Sequence, residues 1–334
     1  MGDSGGRDAE NSDPAAERLA RMSFGQTGLV VPRIGFGGME LAGPPRAPDL
    51  SLSEATYLVH AATDMGITYF DTSIDYGRSE EYLGKALRDR RDRVVVATKC
   101  GCLVGDVGDG ERSHVFTREN IGAGVAQSLK RLGTDYIDVI QLHGNPTVEQ
   151  LDREGGLEVL IELQKKGVVG HIGLSSRKPF VQEFVGMALL EVFQVPYSAV
   201  QRQHEDVVAT LAADGKAVVA RGVAARGSAA KSWASTPIGM KQGEAKTVWE
   251  AAGIDEIIGS MSRMEFMLRF AASNPNINIL LTGTVNVSHL EENVKSVTKG
   301  PLEPDLYREV RNRLSSAGSA PGDGEYRRGG PLAV

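Results

Sequence analysis

The feature that most restricts this chain is a rhythm of eight short apolar runs, each followed by a longer amphipathic or loop stretch. The runs are 33–37, 68–71, 94–98, 137–142, 170–174, 192–195, 217–220 and 278–281. Each is brief and mostly β-branched or otherwise apolar, as parallel strands covered on both faces require. Between them, 53–65, 80–90, 118–132 and 149–166 carry apolar residues at helical spacing. Ser53 and Ser79 stand where helix N-caps belong, and Gly66, Gly133 and Gly167 where helices stop. Eight strands alternating with helices predict an α/β fold of the closed (β/α)8 TIM-barrel class, and 334 residues suit one such domain. An open doubly wound sheet shares the alternation but calls for Gly-x-Gly-x-x-Gly opening the first helix. Here Gly35-Phe36-Gly37-Gly38 runs instead into a Pro-rich loop. A turn at Gly25-Gln26-Thr27-Gly28, between short extended pieces, predicts a β-hairpin ahead of the barrel.

Composition narrows the partners. A net charge of -6 argues against a nucleic-acid partner, because phosphate binding wants a basic face. No apolar run reaches the length of a membrane span. The first residues are polar and acidic, without the basic start and apolar middle of a signal peptide. Residues 1–21 read as a disordered tail, 22–314 as the barrel and 315–334 as a second, flexible tail. Cys100 and Cys102 are one residue apart, which suits neither a mutual disulfide nor a zinc site lacking a second cysteine pair. They read as two reduced thiols in a loop of a cytoplasmic protein, and no metal is assigned.

Reactive side chains fall at strand ends. Asp71 ends the second strand, Tyr76 lies in the loop after it, Lys99 ends the third and His143 the fourth. In a barrel these positions converge on the C-terminal rim, where the active sites of this fold are built. Singly, each has a structural reading: a loop cap, a packed aromatic, a rim ion pair, a core histidine. Together they make a proton-transfer site. Tyrosine is a poor acid near neutrality, with an ordinary pKa of about 10, and a neighbouring ammonium lowers that value. Lys99 is therefore expected to bring Tyr76 into range as general acid–base, with Asp71 holding Lys99. His143 can donate to a carbonyl oxygen. Such a site suits carbonyl reduction, with hydride from a cofactor.

The segment Phe70-Asp71-Thr72-Ser73-Ile74-Asp75-Tyr76-Gly77 resembles the signature of the aldo-keto reductases, in which an Asp and a Tyr are likewise five apart. Thr98-Lys99 looks like that family's third-strand lysine, and the run from Asp135 to His143 like its fourth-strand histidine motif. The stretches from Val31 to Met39 and from Gly167 to Ser175 match too, so the likeness covers about Met22 to Leu314. The resemblance implies a nicotinamide cofactor, NADP in preference to NAD, lying over the barrel mouth near Gly38, Met39 and Asp71. Ser175 and Gln194 match positions that hold the carboxamide, and Ser176 replaces the usual Asn. Arg221 stands where the family has a stacking aromatic, and as a guanidinium it suits a phosphate or substrate anion. Gly283, Thr284, Val285, His289, Glu292 and Asn293 match the adenosine-end motif. Val285 and His289 occupy positions where many members carry Arg or Lys for a 2′-phosphate.

The leading reading is thus an NAD(P)H-dependent oxidoreductase acting on a small carbonyl or its alcohol. Its rival is a cofactor-holding regulatory or redox-sensing protein, or a lyase or dehydratase on the same fold, prompted by the altered seventh strand. Substrate choice is expected to rest on loops 100–116 and 222–246 and on the C-terminal tail. The first of these, rich in Gly and Asp, suggests a lid. Trp233 is a candidate roof, while Arg46, Arg112 and Lys231 read as solvated loop charges.

Overall fold

The eight runs become β3 (Ile34–Gly37), β4 (Tyr69–Asp71), β5 (Val95–Cys100), β6 (Ile137–His143), β7 (Val169–Ser175), β8 (Val192–Pro196), β9 (Ala217–Arg221) and β10 (Ile279–Thr282). They pair in parallel in chain order, and β10 closes onto β3 to complete a barrel. This computed structural model describes residues 19–104, 114–227, 240–241 and 243–322. Helices surround the barrel: α1 (Leu52–Asp64), α2 (Ser79–Ala86), α3 (Arg118–Leu132), α4 (Val148–Glu154), α5 (Gly156–Lys165), α6 (Glu205–Ala213), α7 (Glu244–Ala251), α8 (Arg263–Ala272), α9 (Val287–Thr298) and α10 (Pro304–Ser316). Among the described residues no helix is long and apolar enough to cross a membrane.

Strand side chains alternate between two environments. Tyr69, Ala97, Val139, Val192, Val219 and Ile279 belong to a cluster that fills the barrel. Their neighbours Phe70, Val96, Ile140, Phe193, Val218 and Leu280 belong to the larger cluster between barrel and helices. The expected hairpin forms from β1 (Arg21–Ser23) and β2 (Val30–Pro32), which pair antiparallel. Its turn plugs the N-terminal end of the barrel. Phe24 packs edge-on against Tyr69 with ring centroids 5.5 Å apart, and the Gln26 N–H donates to the carbonyl of Gly215 at 2.9 Å.

Several local expectations change. The N-cap of α1 is Ser51, not Ser53. Ser51 and Glu54 form a reciprocal capping box, with the Ser51 N–H donating to Glu54 Oε2 at 2.8 Å. Ser79 does not cap α2. It is the first helical residue, and its buried hydroxyl accepts from Thr72 Oγ1 at 2.8 Å. The single helix expected over 149–166 is two, broken at Gly155, whose φ of 71 places it in the left-handed region.

The tail boundaries expected at 21 and 315 fall inside the described structure. Leu19 is buried, and α10 runs to Ser316. Beyond it, Ser319 Oγ donates to the Ala199 carbonyl at 2.9 Å, and Arg202 Nη1 to the Ser319 carbonyl at 3.0 Å. Residues 1–18 and 323–334 lie outside the described residues.

Candidate active site

Toward the C-terminal rim, the inward rows of five strands change from apolar to polar. Tyr69 gives way to Asp71, Ala97 to Lys99, Val139 to Gln141 and His143, Val192 to Gln194, and Val219 to Arg221. Strand register sets Lys99 opposite Gln141, and His143 opposite Ser175, which in turn faces Gln194. Period two along each strand, combined with the closed sheet, is what brings residues so distant in sequence into one layer.

Asp71 is the hub of that layer. Lys99 Nζ donates to Asp71 Oδ1 at 2.6 Å and to the Thr72 carbonyl at 2.7 Å. Gln141 Nε2 and Gln194 Nε2 donate to Asp71 Oδ2 at 3.1 and 2.9 Å. Ser175 Oγ donates to Gln194 Oε1 at 2.9 Å. The ion pair is 0% and 2% exposed at the lysine and aspartate, and the added hydrogen bonds from the two glutamines and to the Thr72 carbonyl offset part of the cost of burying it. Desolvation pulls the Lys99 ammonium down, but Asp71, Tyr76 and Asp75 outweigh it and hold its pKa above the ordinary lysine value.

Tyr76 sits over this lysine, with Lys99 Nζ 4.8 Å from the ring centroid. The loop that carries it turns at Gly77 (φ 44), where a Cβ would lie 2.2 Å from the Ala42 carbonyl oxygen; only glycine fits. Lys99 does not bring the phenol down to neutrality, as the sequence suggested. Burial raises the Tyr76 pKa more than Lys99 lowers it, and the net shift is upward. His143 meets Tyr76 edge-on, ring centroids 6.4 Å apart. Its pKa is pushed down to about 3, chiefly by burial, so the imidazole is uncharged at neutral pH. Its Nδ1 lies 3.1 Å from Cys102 Sγ and 3.7 Å from Asp75 Oδ1, which leaves Nε2 as the nitrogen turned to other partners.

Sequence reasoning missed several of these neighbours. Arg46 is not a solvated loop charge. Its Nη2 pairs with Asp75 Oδ2 at 2.8 Å, and its guanidinium lies 5.2 Å from the Tyr76 ring centroid. Gln141 carried a readable signal, since it stands two residues before His143 on the same strand. The cysteines are not together in a loop either. Cys100 closes β5, and Cys102 forms an isolated antiparallel bridge with His114.

Around the rim, Ser176 Oγ donates to Asn145 Oδ1 at 3.0 Å. Gly38 is buried, and Met39 beside it is half-buried. Gly283, Thr284 and Val285 follow β10 and lead into α9, whose N-cap Asn286 accepts from the Ser288 N–H. His289 and Glu292 are exposed on α9, while Asn293 is buried. Among the described residues the Arg221 guanidinium has no carboxylate partner, although it stands near enough to Tyr76 and His143 to act on both electrostatically. Trp233, Arg112, Lys231 and most of the expected lid lie outside the described residues.

The family model for the aldo/keto reductase family matches residues 33–313. The chain belongs to that family. The aldo-keto reductase AKR11C1 from Bacillus halodurans superimposes with a TM-score of 0.79 at 26% identity, covering 93% of this chain and 100% of that one. The uncharacterized oxidoreductase YqkF of Bacillus subtilis (strain 168) is 28% identical over 307 residues, 88% of this chain and 96% of its own length. Pyridoxine 4-dehydrogenase of Escherichia coli (strain K12) is 29% identical over 278 residues, covering 79% and 88% respectively. An aldo-keto reductase is an oxidoreductase, and these relatives give no support to a regulatory or dehydratase reading.

Proposed function

We propose that this aldo-keto reductase reduces a small aldehyde or ketone to its alcohol, or runs the reverse, with NADPH preferred to NADH. The observation that carries the reading is the buried Lys99–Asp71 pair beneath Tyr76, with an uncharged His143 at its edge. When bound, the nicotinamide supplies the hydride.

The protein's own residues supply the rest. Tyr76 holds the proton at its phenol oxygen and delivers it as negative charge develops on the carbonyl oxygen. Lys99, kept charged by Asp71, stabilises the phenolate left behind. His143 Nε2 donates to the same oxygen and orients it. Ser175, Ser176 and Gln194 offer the hydroxyl and amide groups that a carboxamide pairs with. Arg221, unpaired by any described carboxylate, fits a phosphate or substrate anion. The loop from Gly283 to Asn286, at the N-terminus of a 12-residue helix, fits a phosphate, with His289, Glu292 and Asn293 beyond it toward the adenosine. Gly38 and Met39 complete the rim. Two free thiols accord with a cytoplasmic location.

The test is consumption of NADPH and NADH against a panel of aromatic, aliphatic and sugar-like carbonyls, with Tyr76→Phe beside the wild type. Turnover in the variant should fall by about 10²–10⁴-fold while cofactor binding, followed by fluorescence, is kept. Equal turnover in both proteins would overturn the assignment of Tyr76, and no turnover with either cofactor would overturn the reaction.

A further inference from the structure

Beside the proton-transfer groups lies a second cluster, which shares His143 with them and adds Cys102 and His114, two groups that carbonyl reduction does not use. The ligating atoms of Cys102, His114 and His143 all fall within 4.8 Å of one another. The cysteine spacing along the chain gave no hint of it, because two of the three groups are histidines from other segments.

We infer that Cys102, His114 and His143 form a binding site for a borderline-soft divalent cation of the zinc class. One thiolate and two imidazoles are a donor set that zinc favours, and three protein ligands leave a fourth position for water or a substrate atom. Ideal tetrahedral zinc would set sulfur and nitrogen about 3.5 Å apart, from bond lengths of about 2.3 and 2.0 Å. The separation of Cys102 Sγ from His143 Nδ1 is 3.1 Å, so the pair needs to open by only a few tenths of an ångström.

The framework is built. An antiparallel bridge holds Cys102 opposite His114, and the Val115 N–H donates to the Gly101 carbonyl at 2.7 Å. Asn120 staples the two segments, its Nδ2 donating to the carbonyls of Cys102 at 3.1 Å and Val115 at 2.8 Å. The His114 ring stacks on Phe116, with ring planes 12° apart. It also lies against Gly144, where a Cβ would come within 2.9 Å of His114 Cδ2; the missing side chain lets this ring reach His143. Cys102 is buried and His114 exposed, which gives an ion a route from solvent. Loading forms one metal–sulfur and two metal–nitrogen bonds and releases the thiol proton to solvent, with no change of oxidation state.

The test uses tag-free full-length protein and Co²⁺ as the probe. The expected result is one Co²⁺ per chain with a thiolate-to-cobalt charge-transfer band, displaced by Zn²⁺. Cys102→Ser should abolish the band. His114→Ala should weaken binding by more than about tenfold. Cys100→Ser, which changes the thiol facing the helices, should leave both unchanged, and circular dichroism checks that each variant is folded. No band in the wild type, or a band that survives in folded Cys102→Ser, would overturn the site. The readout is spectroscopic, so it stands apart from whether the protein reduces carbonyls.

Discussion

Tyr76 shows how burial and charge compete over a single phenol. Lys99 lies beneath its ring and favours the phenolate, yet desolvation is the larger effect and the pKa moves up. A raised value suits an acid that must keep its proton until the carbonyl oxygen takes it. The sign follows directly. Reduction needs the protonated phenol, which is lost as pH rises through its pKa, so an upward shift extends activity toward alkali. The rate constant for chemistry in the reduction direction should hold until pH passes the ordinary tyrosine value of about 10. Single-turnover rates between pH 6 and about 11 check this; a fall centred near neutrality would show that Lys99 dominates after all.

Among the elements, α2 and α3 pack so closely that no side chain separates them at one point. A Cβ on Gly84 would sit 2.3 Å from the Leu132 carbonyl oxygen and 2.5 Å from its carbon, both backbone atoms that cannot swing away. Gly84→Ala should therefore cost about 1–3 kcal/mol or more, read from denaturant unfolding. Gly122 on α3 is the control. Its Cβ would meet nothing nearer than Val159 Cγ2 at 3.7 Å, so alanine there should stabilise by up to about 1 kcal/mol through helix propensity. Equal effects at the two sites would show that packing does not set the difference. Legibility also divides at this scale. Asp71, Lys99 and His143 could be read because strand ends are visible as apolar runs and the barrel gathers them. Arg46 with Asp75, and Cys102 with His114, could not, because irregular loops meet through contacts that no periodicity encodes. The N-cap at Ser51 was misplaced by two residues, since both serines precede the same apolar stripe and only the reciprocal bond with Glu54 decides between them.

For the molecule as a whole, two histidines couple stability to acid: His204, which is fully buried, and His143, which is largely enclosed. The pKa values of His143 and His204 are both pushed down to about 3, first by burial, against an ordinary 6.5. A depressed value means that the unfolded chain takes up the proton first. Their contribution is complete above pH 6.5 and is lost as pH falls from there toward 3. Each histidine should then erode stability by about 1.4 kcal/mol per pH unit in that window. Urea unfolding at pH 7, 6 and 5 checks this, with His204→Gln expected to lessen the slope. A slope unchanged by that substitution would assign the acid sensitivity to carboxylates.

The two ends of the described chain leave the barrel on opposite sides. Leu19 precedes the hairpin that plugs the N-terminal end, whereas Ser319 is tied to Ala199 and Arg202, and the Gly322 carbonyl accepts from Lys178, all in loops at the rim that carries the site. Tethering the protein to a surface or a fused carrier through its N-terminal side therefore presents the mouth outward to solvent. A rigid fusion placed directly after Gly322 would instead crowd the opening, and an immobilised reductase should be oriented accordingly.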